Sequence, residues 1–171
     1  MNRFNRLTLV CCLPFMFVVL MSGCGDSERP EGFPKLYPVS LNVSQEGTPL
    51  TKASVSLKMA DGSAVWSTGG VTDEKGVVVL WTHGKFRGAP EGTFKVLITK
   101  IVNEGEEEML AAANREDYAA AAKIPVNSYS CVKDEYETFE KTPLEIEITK
   151  KSRVIDIDAG PAVKITREYM R

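Results

Sequence analysis

The sequence predicts a mainly β fold, an antiparallel sandwich with one inserted helix. In several short segments apolar and polar residues alternate with a period of two, as in strands that are buried on one face. Turn signals containing glycine separate these segments at short intervals, which is typical of sandwiches. One segment, residues 106–123, breaks the alternation because it has seven alanines and neither proline nor glycine. It is predicted to be the helix.

The predicted strands begin with Val39, Leu41 and Val43, which alternate with polar residues. A turn at residues 47–49 leads to the second strand. In a later turn Asp73 is expected to cap the backbone and Gly76 to adopt a left-handed conformation. The full set of predicted strands is 39–44, 53–59, 64–67, 77–82, 93–99, 144–149, 154–158 and 162–165, with further turns at 61–62 and 72–76.

The predicted helix begins with three glutamates, Glu106 to Glu108, and ends at Lys123. These charges complement the positive and negative ends of the helix dipole. Because the segment lies between two predicted strands, it is an insertion into the sandwich and not a layer of an α/β fold. Its alanine-rich face is too weakly apolar to be stable alone, so it is expected to dock on a sheet or to fray.

Residues 77–81 are apolar at every position. If Val78 and Leu80 point into the sandwich, Val77, Val79 and Trp81 point outward. Two interpretations remain open: the inserted helix covers these three side chains, or they form an exposed surface for a partner. Val77, Val79 and Trp81 are therefore the candidate partner surface.

The N-terminus has the pattern of a secretory signal peptide, with two arginines before an apolar stretch, residues 7–20, that is short for a membrane span. Met21, Ser22 and Gly23 then precede Cys24. This resembles the bacterial lipoprotein signal. The resemblance implies cleavage between Gly23 and Cys24, acylation of Cys24, and anchoring of the chain in a membrane. The alternative is an ordinary signal peptide in which the cysteine is incidental.

The chain is thus divided into a signal peptide at residues 1–23, a tether at 24–38 and a domain at 39–171. The tether is rich in proline and charged residues, which keep such a segment extended and solvated. Gly25 and not aspartate follows the cysteine, and by resemblance to the common sorting rule of lipoproteins the outer membrane is favoured over the inner membrane. The expected location is the cell envelope.

Few residues with metal-binding or catalytic side chains remain after cleavage. Cys131 is the single cysteine left besides Cys24, and His83 is the single histidine. No zinc ligand spacing and no Ser/His/Asp set can be built from them. We expect no metal, no cofactor and no catalytic residue, and the protein is predicted not to be an enzyme. His83 is expected in a turn; Cys131 is expected to be a packing residue, with a reactive or bridging thiol as the alternative.

The charge of the mature chain argues against nucleic acid as a partner. Removing residues 1–23 takes away two of the 21 basic residues and none of the 23 acidic ones, which leaves a net charge of −4. No cluster of basic and aromatic residues of the kind that phosphate backbones require is evident in the sequence.

Two pairs of carboxylates lie at a spacing of two residues. Glu145 and Glu147 share one face of a predicted strand, and Asp156 and Asp158 share a face of the next. If these strands were neighbours, the four acids could converge on calcium. The favoured alternative is a solvated outer face that discourages edge pairing.

Three turn motifs resemble those of the carboxypeptidase regulatory-like domains, which are transthyretin-like, Ig-like β-sandwiches. The motifs are Gly47-Thr48-Pro49-Leu50, Thr72-Asp73-Glu74-Lys75-Gly76 and Gly88-Ala89-Pro90-Glu91-Gly92-Thr93-Phe94-Lys95-Val96, and the resemblance covers residues 37–158. It implies a small bacterial envelope lipoprotein, and it implies no particular ligand. The histidines that a hydrolase of this fold uses are absent here.

The expected function is a non-catalytic, membrane-anchored module that is structural or binds an envelope protein. The alternative is a carbohydrate-binding module of the envelope, which needs exposed aromatic side chains on one sheet face. Tyr37, Trp66 and Trp81 are the candidate members of such a platform.

Overall fold

The computed structural model describes residues 29–63 and 66–167. Residues 34–171 form one compact unit, and residues 29–33 belong to a separate N-terminal unit. The predicted signal peptide, with Gly23 and Cys24, lies outside the described residues. The described part of the compact unit contains fifteen strands, two α-helices and one short 3-10 helix.

The first eight strands are short and lie close together in the chain: β1 (Leu36–Tyr37), β2 (Ser40–Gln45), β3 (Thr48–Pro49), β4 (Ser54–Met59), β5 (Thr68–Val71), β6 (Val77–Val79), β7 (Trp81–Thr82) and β8 (Phe86–Arg87). The remaining elements are β9 (Ala89–Pro90), β10 (Gly92–Thr99), β11 (Ile101–Glu104), α1 (Glu106–Asn114), α2 (Tyr118–Ala121), β12 (Asn127–Ser130), a 3-10 helix (Asp134–Glu137), β13 (Glu145–Ile148), β14 (Val154–Asp158) and β15 (Ile165–Arg167).

The predicted mainly β sandwich is confirmed. One layer is a six-stranded antiparallel sheet in the order β13-β10-β4-β5-β7-β8. The other is a four-stranded sheet in which β2 pairs with β14, β3 and β6. The β2–β14 pair is parallel, unlike the antiparallel pairing that the sequence predicted throughout. A two-stranded sheet of β1 and β9 completes this part of the fold.

The core lies between the two large sheets. Each long strand alternates buried and more exposed residues, as its period-two pattern predicts. The largest fully buried side chains come from both sheets, with Phe94 and Ile98 on β10, Leu41 on β2, and Leu80 between β6 and β7. The sequence correctly predicted the inward residues of β2, β4, β10 and β13.

The chain passes from one sheet to the other at Leu80. The prediction of one continuous strand over residues 77–82 is therefore wrong: β6 pairs with β2 in the four-stranded sheet, and β7 pairs with β5 and β8 in the six-stranded sheet. Leu80 is fully buried, and its backbone bonds to Val39 and Gly88 at 3.2 and 2.8 Å. Residues 77–81 are apolar on both faces because this segment passes from one sheet to the other at the edge of the core.

The third predicted strand is also displaced. The sequence predicts it at residues 64–67, of which 64 and 65 lie outside the described residues. Trp66 and Ser67 are not in a strand, and the partner of β4 is β5, Thr68–Val71. Glycine has a low strand propensity, so Gly69 and Gly70 were not assigned to a strand. Their lack of a side chain allows close approach here, because a Cβ atom at Gly70 would lie 2.7 Å from Cγ2 of Val78.

The inserted segment contains two helices and not one. The predicted helix over 106–123 breaks between α1 and α2, where Glu116 has a φ of 62°. Asp117 caps α2 by accepting a hydrogen bond from the N–H of Ala120 at 3.0 Å. A three-stranded sheet in the order β11-β12-β15, which the sequence did not predict, flanks the helices. Its third strand lies at Ile165–Arg167 and not at 162–165.

Part of the segment predicted as a tether belongs to the fold. Leu36 and Tyr37 form β1, which pairs with Pro90 and Ala89, and Tyr37 belongs to the buried core. The predicted boundary at residue 38 therefore cuts through the fold. A single two-residue strand shows too little alternation to be recognised, since only the pairing with β9 defines it.

The turn at residues 72–76 is confirmed in detail. One carboxylate oxygen of Asp73 accepts hydrogen bonds from the N–H groups of Lys75 and Val77 at 2.8 and 2.9 Å. These bonds, first that from Val77, lower the pKa of Asp73. Gly76 has a φ of 75°, as the turn requires.

Candidate functional site

The outer face of the six-stranded sheet carries the exposed tryptophan. On this face Ser56, Gly69, Trp81 and Arg87 stand side by side on β4, β5, β7 and β8, because each is paired with the next in the strand register. We call these four residues the Trp81 row. At about 4.8 Å between neighbouring strands, the row spans about 14 Å.

Trp81 points outward because its neighbour Thr82 is held inside. Oγ1 of Thr82 donates to the carbonyl oxygen of Gly88 at 2.8 Å and lies 3.0 Å from Oγ1 of Thr68, and both threonines are buried. Since adjacent strand residues face opposite sides of a sheet, the Trp81 ring lies outside. It is 41% exposed.

Gly69 leaves a gap between Ser56 and Trp81. A Cβ atom at this position would collide with the carbonyl oxygen of Val55, so the backbone accepts no side chain here. The surface between Ser56 and Trp81 is therefore formed by backbone atoms alone. A flat group that lies on this surface contacts the side of the Trp81 ring.

A shallow pocket of about 170 Å³ opens beside the Trp81 row. Its lining comes from β4, β5 and the segment that joins them. Ser56, Lys58 and Ser67 border it from the exposed side of the β4–β5 hairpin, and the buried residues Leu57 and Thr68 also line it. The lining residues are Ser56, Leu57, Lys58, Met59, Ser63, Trp66, Ser67 and Thr68. Three serines, a lysine and a tryptophan thus border one small space.

Trp66 closes one side of this pocket. Its ring is half-buried and meets the ring of His83 edge-on, with centroids 5.3 Å apart. His83 lies in the turn after β7 with a φ of 54°, which confirms the prediction of a turn residue. His83 follows Thr82 and Trp81 in the chain, so its contact with Trp66 brings the two tryptophans to neighbouring parts of the fold.

The charge around the row is positive, in contrast to the acidic chain as a whole. Lys58, Lys85 and Arg87 are exposed here, and β4, β5, β7 and β8 contain no aspartate or glutamate. The one carboxylate of the β4–β5 turn is that of Asp61, which accepts a hydrogen bond from the N–H of Ser63 at 2.8 Å. Within residues 29–63 and 66–167, none of these three cations forms an ion pair. Lys95 on the next strand is differently placed, since its Nζ donates to the carbonyl oxygen of Phe139 at 3.0 Å.

The three residues of the predicted partner surface lie in two different sheets. Val77 and Val79 are half-buried and belong to β6 in the four-stranded sheet, whereas Trp81 belongs to the six-stranded sheet. The three side chains do not form one face, because the chain changes sheets between them. The helices do not cover Trp81 either; α1 and α2 pack on each other and bury Ala112 and Ala121.

The aromatic platform is similarly altered. Tyr37 is buried in the core, so it cannot contact a ligand on the surface, and only Trp66 and Trp81 remain. Sequence reasoning missed the cations and small residues near Trp81 and the pocket. The signal was present in the absence of acids from residues 54–59 and 66–71, but the register was needed to bring these segments together.

The four carboxylates do not converge. Glu145 and Glu147 lie on β13 in one sheet, and Asp156 and Asp158 lie on β14 in the other. Asp156 accepts a hydrogen bond from Nδ2 of Asn42 at 2.7 Å, and Asp158 accepts from the N–H of Gly160 at 2.9 Å. Across the described parts of the chain, no group of three His, Cys, Asp or Glu side chains is placed to hold a metal ion.

Cys131 and Glu106, the first glutamate of α1, make contacts within the fold. The Cys131 thiol is half-buried and free. The backbone carbonyl oxygen of Cys131 accepts a hydrogen bond from Nε2 of Gln45 at 3.0 Å, which joins the end of β12 to β2. Glu106 accepts from Nδ2 of Asn103 at 2.9 Å.

Two polar clusters that the sequence did not predict hold the three-stranded sheet. Arg167 donates to Glu137 at 2.6 Å and to Asp134 at 2.9 Å, which ties β15 to the 3-10 helix. On the other face Lys164 donates to Glu104 at 2.7 Å. This bond lowers the pKa of Glu104 and raises the pKa of Lys164. The Nε atom of Arg167 is buried and has no hydrogen-bond partner among the described residues.

Among the helices of residues 29–63 and 66–167, none has the length and apolar character that crossing a membrane requires. No protein family and no curated protein matches this chain. Among solved structures the chain is similar to the major pilin subunit of Bacillus cereus, at 19% identity and a TM-score of 0.40, over 74% of this chain and 30% of that one. The chain spans less than a third of that subunit.

Proposed function

We propose that this protein is a non-catalytic lipoprotein of the bacterial cell envelope, anchored through Cys24, whose sandwich is a binding module. The anchor rests on the sequence Met21-Ser22-Gly23-Cys24 after an apolar signal. The module is proposed to belong with the carboxypeptidase regulatory-like domains, on the turn motifs given above. Three acyl chains on Cys24 exceed the two signals that stable anchoring needs.

The observation that carries the binding role is the Trp81 row. Trp81 is 41% exposed near Gly69 and the pocket, although the core of this sheet lies on its other face. A large apolar side chain exposed in such a place is a candidate for contact with a ligand. The binding surface that we propose is therefore the outer face of β4, β5, β7 and β8, and it replaces the set of Val77, Val79 and Trp81.

A carbohydrate is a better candidate ligand here than a protein. Protein interfaces are depleted in lysine and serine at their centres. The pocket is bordered by Lys58 and three serines, Ser56, Ser63 and Ser67. Hydroxyl groups next to an aromatic ring match the polar edge and apolar face of a sugar ring.

The proposal of a non-catalytic role rests on the sequence. A nucleophile activated by a histidine needs that histidine between the nucleophile and a third orienting group. The chain contains a single histidine, His83, which lies in a turn.

The anchor is tested by replacing its cysteine. We expect Cys24→Ala to move the protein out of the membrane fraction or to leave it as an uncleaved precursor, as seen by fractionation and intact mass. Cys131→Ala is the matched control and should stay in the membrane fraction. A wild-type protein that is cleaved and fully soluble would refute the anchor.

A further inference from the structure

We propose that the pocket and the Trp81 row together bind a short segment of an anionic polysaccharide, one that carries carboxylate or phosphate groups. This inference rests on the proposed binding role of the same surface and specifies the ligand. Three features carry it: the spacing of the pocket and Trp81, the unpaired cations along the row, and the small residues between them.

The spacing suits a chain of sugar rings. The pocket, at about 170 Å³, is smaller than the roughly 300 Å³ at which sites for drug-sized ligands begin, so it has room for a single ring. Ser56 borders the pocket and lies two strands from Trp81, a distance of about 10 Å. An oligosaccharide with one ring in the pocket extends over Gly69 and places a following ring against the indole of Trp81.

The exposed cations favour a polysaccharide that carries negative charge. Lys58 borders the pocket, and Arg87 stands directly beyond Trp81 in the row. Neither has an ion-pair partner within the described residues, so neither charge is already neutralised by the protein. The planar guanidinium of Arg87 is suited to bidentate contact with a carboxylate or a phosphate. A mature chain of net charge −4 repels anions elsewhere, which favours this face.

Gly69 is the specificity element of this arrangement. Because it has no side chain and accepts none, the strip between the pocket and Trp81 stays open to a flat ring. Hydroxyls of Ser56 and Ser67 on either side can donate to and accept from the hydroxyls of a sugar.

The experiment uses the lipidated protein in nanodiscs of phosphatidylcholine. Oligogalacturonate supplies carboxylates, a phosphomannan oligosaccharide supplies phosphates, and methyl-esterified oligogalacturonate is the neutral control with the same backbone. Calorimetry measures affinity, and tryptophan fluorescence reports contact with Trp66 and Trp81. We expect one or both anionic chains to bind, the ester to bind more weakly, and added salt to weaken the anionic complex.

The variants separate this surface from nonspecific charge. We expect Trp81→Ala to weaken binding by a factor of about ten, with partial rescue by Trp81→Phe. Lys58→Gln and Arg87→Gln each should weaken it about twofold to fivefold. These two replace exposed side chains, so they test the proposal even if Trp81→Ala does not fold. Lys52→Gln, at the other end of β4 and about 20 Å from Lys58, should have no effect.

Several outcomes overturn the proposal. These are no binding of either anionic chain, equal binding of the ester, or an equal loss in Lys52→Gln. The same holds if adding phosphatidylglycerol to the nanodisc shifts Trp81 emission while the glycans do not, because the face then binds the membrane. Failure of glycan binding leaves the Cys24 fractionation result untouched, so the two proposals fail separately.

Discussion

The buried threonine pair behind Trp81 gives a sharp test of what holds this part of the sandwich. Thr82 donates its single hydroxyl proton to the carbonyl oxygen of Gly88, at 2.8 Å. Its contact with Thr68, at 3.0 Å between the two Oγ1 atoms, must then be donated by Thr68. The two hydroxyls form a directed chain in which Thr82 is the middle member.

Thr82→Val keeps the branched shape and removes the hydroxyl. The Thr68 hydroxyl and the Gly88 carbonyl each lose their partner in the core, at about 1–3 kcal/mol per unsatisfied buried group. The new methyl group offsets about 0.8 kcal/mol of this loss. We expect the free energy of unfolding to fall by about 1–5 kcal/mol. Thr68→Val should cost less, about 0.5 kcal/mol, because the Thr82 hydroxyl keeps its acceptor.

The double variant Thr68→Val/Thr82→Val distinguishes this chain of hydrogen bonds from a simple loss of packing. Replacing both threonines removes the stranded Thr68 hydroxyl, so we expect it to be more stable than Thr82→Val alone. Urea denaturation followed by far-ultraviolet circular dichroism measures all three, with an unchanged dependence on urea concentration. Tryptophan emission is avoided because Trp81 adjoins the mutated residue. Thr93→Val, an exposed threonine of the same sheet, is the control and should change stability by less than about 0.5 kcal/mol.

The directed chain would be refuted in either of two ways. If the double variant is less stable than Thr82→Val by the full cost of Thr68→Val, the two hydroxyls act independently. If Thr82→Val is as stable as the wild type, the Gly88 and Thr68 groups find other partners, and the inward position of Thr82 does not explain why Trp81 faces outward.

Two further predictions concern the turn and the insertion. Because backbone hydrogen bonds depress the pKa of Asp73, the stability that its carboxylate provides is present above the unfolded pKa of about 3.8 and is lost as pH falls through the lower folded value. Asp73→Asn, which keeps an acceptor but cannot titrate, should therefore show a smaller loss of melting temperature on acidification; an identical loss would contradict the role of this carboxylate. Replacing residues 106–123 with a Gly/Ser linker should leave the emission maximum of Trp81 unchanged in a Trp66→Phe background, because α1 and α2 do not cover it; a red shift would restore the sequence-based expectation of a helical cover.

The sequence predicted those parts of the fold that depend on local information. The inward residues of β10 were identified from alternation alone, since a strand with one buried face must repeat every two residues. The turn at Asp73 and Gly76 was predicted because its hydrogen bonds and its positive φ lie within five consecutive residues. The exposure of Trp81 was one of the two interpretations left open.

Only the tertiary structure decided which strands are neighbours. Alternation records that a residue is buried, but it does not say in which sheet, so Val77 and Trp81 were grouped although they belong to different sheets. For the same reason the sequence did not identify Gly69, which becomes part of the site only through its register with Ser56 and Trp81. Every strand offers the same backbone N–H and C=O groups, so the capacity for hydrogen bonds does not by itself specify which strands pair. The hydrophobic pattern fixes which face of each strand is buried, and the packing of the whole fold then selects the partners.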